Sequence, residues 1–457
     1  MRKILFLVFL VFTLGYSQNK QLLYDFHELP QTLMLNPGAE FSSKFHIGFP
    51  LLSKIDFQAG SSGFSAYDIF KDDGVNINIK IKKVIDDFGK SEVFTLNQQL
   101  EILSAGYKLP NSRYLSFGYY QELDIACRLP KDMVDLFYDG NSEINRRYEL
   151  DKFGVRAEIL GVFHVGLSKK LNNNIQIGAR VKIYSGGSNI RSKINSAAFY
   201  TEYGTNNIYN HHLENVNAFI NSSGINLDNN EEDFSSDIAK KLLLGGNLGL
   251  GLDLGFTNWV NDQVTVTGSV LDVGFVNYSK DVESYRSNGT YQLEGIQLLF
   301  DPNNPQDYWE NLEDDFGKNV VTDTIFKSYI TLRPLKLNGS VSYKFGRPRL
   351  DDCNFQKYPK VYSNKVGFHL YSTLGKINSQ VAATLFFERR INKNVQAKII
   401  YTVDTYSFKN IGLGVSTKLG VFNAYLLFDN LLNLSNLYNA KSASVQAGLN
   451  FIFKDKN

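Results

Sequence analysis

The stretch YLSFGYYQELDIACRL, residues 114–129, alternates between two kinds of side chain. Leu115, Phe117, Tyr119, Gln121, Leu123, Ile125, Cys127 and Leu129 share one face of an extended chain; Tyr114, Ser116, Gly118, Tyr120, Glu122, Asp124, Ala126 and Arg128 share the other. A period of two is that of a β-strand. Strands in soluble sheets are usually about half this length or less, so the stretch calls for an unusually tall sheet with an oily and a charged side.

The pattern recurs along the chain. Val155, Ala157, Ile159, Phe163, Val165 and Leu167 oppose Arg156, Glu158, His164, Ser168 and Lys170; after the turn NNN (172–174), Ile175, Ile177, Ala179, Val181 and Ile183 oppose Gln176, Arg180, Lys182 and Tyr184. These two runs read as a hairpin. Leu248, Leu250, Leu252, Leu254 and Phe256 alternate with glycines and Asp253, and similar runs begin near Val264, Leu335, Val366, Gln380, Val395, Ile411 and Val421. The last run places Val445, Ala447, Leu449, Phe451 and Phe453 on one face. Between Ile102 and Leu103 the alternation changes phase, which predicts a β-bulge.

Charges at strand centres (Glu122, Asp124, Arg128, Arg156, Glu158, Arg180, Lys182) beside many glycines suit a crowded barrel interior. Aromatics toward strand ends, among them Tyr114, Phe117, Tyr119, Tyr343, Phe345, Phe451 and Phe453, suit interfacial girdles. Closure would satisfy the backbone in hydrocarbon, which an open sheet cannot do. The fold class expected is all-β: a transmembrane antiparallel β-barrel of about 14 strands, the even count of single-chain bacterial barrels. The alternative is a secreted sandwich, in which a second sheet covers the oily face. At roughly ten to twelve residues each, fourteen strands use about 150 residues of a mature chain of about 440, leaving the rest for loops, extensions and a plug.

Three regions read as non-strand: residues 18–43, Ile190–Leu242 with the acidic run Glu231, Glu232 and Asp233, and Ser279–Ser328. Short turns such as PNSR, NNN and NKN on one side and long loops on the other match an outer-membrane barrel, with its long loops outside. The N-terminus carries Arg2 and Lys3, an apolar Ile4–Leu14, and Gly15-Tyr16-Ser17, which reads as a cleaved signal peptide over 1–17. Gln rather than Cys follows, against a lipid anchor, and no later run approaches the ~20 apolar residues of a membrane helix. The expected organisation is a signal peptide (1–17), an N-terminal hatch segment (18–43) and a barrel (44–457) in the outer membrane of a Gram-negative bacterium.

With 48 basic and 46 acidic residues, no strong field attracts nucleic acid. Cys127 and Cys353 lack metal-ligand spacing and read as free thiols. His211-His212 with Glu214 reads as solvated loop, GNLGLG (246–251) as lumen-facing strand glycines, and DYWENLEDDF (307–316) as a partly helical acidic loop without the spacing of a calcium site. LPKDMVDLFYDGN predicts a short helix from Pro130 to a stop at Gly140, with Met133, Val134, Leu136 and Phe137 packed on the rim; Val75–Gly89 is a second amphipathic stretch. No cofactor, metal or catalytic set is indicated.

The strings LPQTLMLNPGAEFSSKFHIGFPLLS, RLPKDMVDLFYDGN, GLSKKLNNNIQIGARVKIYSGG, SVLDVGFVNYSKD and YQLEGIQL resemble, in order, the outer-membrane barrel family called domain-of-unknown-function family 5723, from about residue 28 onward. That family is similar to the type IX secretion shuttle barrel and, more remotely, to fatty-acid transporter barrels. The resemblance implies fourteen strands and a lumenal hatch whose turn is Asn36, Pro37 and Gly38, with Gly where the related barrels carry Ala. Read alone, NPG is a turn signal.

Two functions follow for the monomeric, non-enzymatic barrel expected in outer-membrane lipid. One is an accessory or docking component of protein export or cell-surface machinery, contacting secretion or surface proteins; the other is a plugged conduit for a hydrophobic ligand. A charge-filled lumen would favour docking, and the strand-centre charges tilt the sequence that way; an apolar pocket beside the hatch would favour the conduit.

Overall fold

A computed structural model describes residues 20–225, 237–295, 308–346, 362–377, 379–405, 410–429 and 442–453. The signal peptide, the run Glu231–Asp233 and Cys353 lie outside the described residues.

Fourteen strands form the wall. They are β1 (in two pieces, Phe45–Gly48 and Lys54–Ser61), β2 (Ser91–Leu109), β3 (Arg113–Pro130), β4 (Gly154–Lys170), β5 (Ile175–Tyr203), β6 (Asn247–Trp259) and β7 (Val264–Tyr278). The remainder are β8 (Leu335–Phe345), β9 (Asn364–Leu374), β10 (Gln380–Arg390), β11 (Val395–Asp404), β12 (Asn410–Leu419), β13 (Phe422–Phe428) and β14 (Ser442–Phe453). Each pairs antiparallel with its neighbour, and β1 closes on β14 with Phe45 opposite Phe453 and Ile55 opposite Ala447. The barrel is closed, so every strand has two partners and no edge faces lipid.

The oily faces point outward. Phe117, Val165, Val181, Leu250, Val341 and Leu385, from six strands, are each more than half exposed. An apolar belt around a whole barrel requires hydrocarbon, because soluble surfaces rarely carry apolar patches beyond a few hundred Å². Tyr114 departs from the girdle expectation: it points inward, is buried and bonds His46 at 2.5 Å. The predicted phase change is a register shift between Glu101 and Leu103 in the β2–β3 ladder.

Strands account for 62 % of the described residues, more than the sequence estimate allowed. Parts of two regions expected to be non-strand are sheet. β5 runs on to Tyr203 and pairs with Tyr209–Ser223, which pairs with Ser284–Leu293, which pairs with Val320–Ile325. The expectation failed because a sheet above the membrane meets water on both faces and loses its alternation.

The short-turn end carries one longer connection, Gly346 to Ser363. Beyond the long-loop end, helices Ile77–Asp86 and Lys131–Asp139 pack on each other: Lys131 donates to Ile85 C=O at 2.9 Å and Tyr138 to Asn78 C=O at 2.9 Å. Phe137, expected on the packed side, is instead 85 % exposed.

Candidate functional site

Residues 20–43 lie inside the barrel and form an inner segment: a turn of helix (Lys20–Leu23), a 3-10 helix (Pro30–Met34) and the Asn36–Gly38 turn. Its apolar side chains Leu22, Leu23, Tyr24, Phe26, Leu29 and Leu35 form one buried cluster with Phe386 of β10, Ile400 of β11, Tyr425 and Leu427 of β13, and Leu271 of β7. Met34 packs into a second cluster with Tyr120, Leu160, Val162, Tyr184, Val276 and Tyr278. Leu160 and Val162 thus face inward from β4, at positions the polar set of that strand skips.

The segment has little regular secondary structure, so its carbonyls need other donors. The wall provides them. Lys398 reaches Tyr24 C=O at 2.5 Å, Lys365 reaches Asp25 C=O at 2.6 Å, and Arg180 reaches Leu33 C=O at 3.1 Å and Met34 C=O at 2.5 Å. Ser269, Thr257 and Gln176 donate to the carbonyls of Leu35, Gly38 and Ala39 at 2.6, 2.8 and 2.8 Å. Gln31 donates to Ser53 C=O at 3.0 Å and to Asn450 at 2.8 Å.

The Asn36–Gly38 turn sits on bare wall. Gly178 of β5 and Gly255 of β6 are register partners; a Cβ on Gly178 would overlap Pro37 C=O, and one on Gly255 would overlap the Asn36 side chain. A Cβ on Gly38 would in turn overlap Gly255 C=O, so the close seat of this turn requires Gly there. Asn36 uses both ends of its amide, accepting from Gly38 N–H at 2.9 Å and donating to Phe256 C=O at 3.1 Å.

Beyond this turn, farther from the short-turn end, eight charged side chains alternate in sign in an unbroken chain. Arg180 contacts Asp253 at 2.5 Å, Asp253 contacts Lys182 at 2.9 Å, and Lys182 contacts Asp272. Asp272 contacts Lys336 at 2.5 Å, Lys336 approaches Glu122 at 3.9 Å, Glu122 contacts Arg333 at 3.1 Å, and Arg333 contacts Glu158. The chain runs along β5, β6, β7 and β8 and returns to β3 and β4 through Arg333 and Lys336. Tyr278 donates to Glu158 at 2.7 Å. Of the charges singled out in the sequence, Glu122, Glu158, Arg180 and Lys182 belong to this chain. Asp124 and Arg156 pair separately at 2.9 Å, and Arg128 donates to Ile377 C=O at the mouth.

Asp272, Arg333 and Lys336 were not singled out, because each is a lone charge in an apolar run (VLDVGF, TLRPLKL). The broken alternation was their available signal. Leu271 and Asp272 turn inward as a bulge: the β6–β7 register shifts between Val270 and Val273, and Asp272 has φ +61°. On the other side, β7–β8 pairing runs from Val264 opposite Tyr343 to Leu271 opposite Lys336, and resumes with Phe275 opposite Leu332 on Tyr329–Leu332. Between these points, Asp272–Gly274 and Arg333–Leu335 leave the ladder, crossed by the bond from Arg333 N–H to Gly274 C=O at 3.0 Å. Pro334 brings no N–H to this stretch. The wall therefore has a seam between β7 and β8, and beside it β7 is bulged on the β6 side, where pairing resumes with Val273 opposite Leu252 and Gly274 opposite Gly251.

The crevice at the short-turn mouth, about 420 Å³, is polar, lined by His27, Glu28, Glu40, Lys344, Lys365 and Arg390 among others. Among the described residues no group of three or more His, Cys, Asp or Glu is placed to hold a metal ion. His211 bonds Thr201 at 2.9 Å and His212 bonds Glu202 at 2.8 Å, on a strand rather than in a loop.

Several solved structures align with this chain at low identity. The Ralstonia pickettii toluene transporter TbuX aligns with TM-score 0.43 and 9 % identity over 97 % of this chain and 99 % of that one. A Pseudomonas aeruginosa FadL homologue gives 0.41 and 10 % over 93 % and 91 %, and the Pseudomonas putida toluene transporter TodX gives 0.35 and 9 % over 96 % and 94 %. No curated protein matches. The family described as "Family of unknown function (DUF5723)" matches residues 37–429, a start nine residues later than the sequence strings suggested. Spanning most of the wall and the Pro37–Gly38 half of the seated turn, that match makes this chain a member of the DUF5723 family.

Proposed function

We propose that the protein is a plugged, non-enzymatic conduit that exchanges hydrophobic small molecules between its lumen and the outer-membrane hydrocarbon of a Gram-negative bacterium, with the β7–β8 seam as the lateral passage. The inner segment acts as the hatch, and residues 1–17 are removed on export. The seam carries this reading. It lies about ten residues above Phe345, roughly 33 Å along a strand, which in a tilted barrel is near the upper edge of the ~25 Å apolar band. The flanking side chains Val273, Phe275, Ile330 and Leu332 face outward, 40–71 % exposed, so a molecule leaving here meets hydrocarbon.

Leu271, at the seam, belongs to the same apolar cluster as Leu22 and Leu35. Withdrawing the segment removes the packing that holds this slack part of β7 inward, which couples hatch to passage. The crevice beside the segment at the short-turn mouth is polar; in this reading the cargo site forms when the segment moves.

The second reading is docking to export or surface proteins. The charge-filled lumen favours it by the criterion drawn from sequence, as does the outer sheet ending in the exposed strand Val320–Ile325. The seam has no use in that reading.

The test locks the seam. Phe275 and Leu332 are register partners; in a Cys127→Ser, Cys353→Ser background, Phe275→Cys with Leu332→Cys would join them by a disulfide. Oxidised cells should lose uptake of a fluorescent naphthylamine and regain it with reductant. Uptake indifferent to oxidation would refute the passage.

A further inference from the structure

We propose that the chain of eight charges is a second closure of the lumen, one that holds without the inner segment. The first ground is geometry. Arg333 and Lys336 lie on the β8 side and reach Glu122 on β3, with Arg333 continuing to Glu158 on β4. The inner faces of six consecutive strands are thereby drawn together by a chord across the lumen. The inward turns at Asp272 and Arg333 shorten that chord.

The second ground is balance. Four carboxylates (Glu122, Glu158, Asp253, Asp272) meet four bases (Arg180, Lys182, Arg333, Lys336), so the layer carries no net charge and every member neutralises a neighbour. Asp253 is fully buried, Glu122 is 1 % exposed, and Arg180, Lys182 and Asp272 are 3 % exposed. Buried, mutually neutralised charges offer an ion no binding field.

The third ground is that the layer barely uses the segment. Only its terminal member, Arg180, donates to segment carbonyls; the other links join wall to wall. Removing the segment costs the layer two hydrogen bonds and no ion pair. The closure is independent of what the conduit carries, so it stands or falls apart from the cargo reading.

Planar-bilayer conductance tests it with three proteins: full-length, a deletion of residues 18–43, and that deletion with Asp272→Asn and Lys336→Met, which together leave net charge unchanged. Folding of each is checked by heat-modifiable gel mobility. The deletion alone should stay within about twofold of full-length, and the combined variant should conduct at least about tenfold more. A wide pore from the deletion alone, or no gain from the added pair, overturns the proposal. If the deletion does not fold, a protease site between Ser43 and Lys44 lets the segment be cut from the folded barrel and washed out with urea, its loss read by mass and the same two outcomes applied.

Discussion

The two halves of the lumen are closed by opposite means. From β3 to β8 the wall is closed by itself, through ion pairs between its own strands. From β10 to β13 it is closed by a guest: Phe386, Ile400, Tyr425 and Leu427 are inward apolar groups whose cover is Leu22, Leu23, Phe26 and Leu29 of the inner segment. Remove the segment and the first half loses the Met34 packing and its hydrogen bonds to the Leu33–Ala39 carbonyls but keeps its ion pairs, while the second faces water with apolar surface worth about 25 cal/mol per Å². The charged half is the fixed part and the apolar half the part a moving segment must be drawn from. The seam lies where they meet, since Leu271 belongs to the apolar cluster and Asp272 to the charge chain.

The largest expected effect breaks the fixed half. Arg333→Met strands Glu122 and Glu158 as buried anions and should destabilise the barrel by about 3–5 kcal/mol; denaturant unfolding in detergent reads it, and a loss under about 1 kcal/mol would mean these pairs are solvated. Next, Phe26→Ala strikes the guest. It should weaken segment docking by about 3 kcal/mol while leaving barrel unfolding near wild type, seen as protease cleavage within residues 20–43 of an otherwise intact barrel. If barrel and segment lost stability together, the halves would not be separable.

Gly255→Ala sharpens the boundary. Its methyl would overlap the Asn36 side chain, and unseating that turn should cost about 1–3 kcal/mol of docking, by the same cleavage assay. The smallest effect is a pH dependence. Burial, reinforced by Lys365, Lys344 and Lys398, holds the His27 imidazole well below the usual histidine range, and its Nδ1 has no partner among the described residues. With the folded value depressed, the released segment binds the proton more readily, so docking is full above the released-state value of about 6.5 and weakens as pH falls below it. Between pH 7.5 and 5.5 the loss should be about 1.4 kcal/mol, and His27→Phe should remove it; an equal slope in that variant would assign the dependence elsewhere.

Much of the wall was legible because lipid imposes a rule on sequence. Every outward position between the girdles must be apolar, so the alternation of Leu115 to Leu129, the hairpin through Asn172–Asn174 and the phase change beside Leu103 were all readable. Above the membrane the rule lapses. Ile190–Tyr203 continues β5 with water on both sides, and its pattern reads as loop. The lumen was half legible: Glu122 and Arg180 sit at regular inward positions, whereas Asp272 and Arg333 lie where a bulge and a proline break the register that would have assigned them a face. Leu160 and Val162 are inward for a reason local sequence does not hold, the arrival of Met34 from more than a hundred residues away.

At one level of the wall β7 is slack toward β8. Hydrogen exchange of the protein in lipid nanodiscs tests it most directly. Amides of Val273, Gly274 and Leu335 should exchange well ahead of Val264–Val270 and of the paired stretches of β9 and β10 at the same depth, whereas protection as complete as in those neighbours would contradict a passage at this seam.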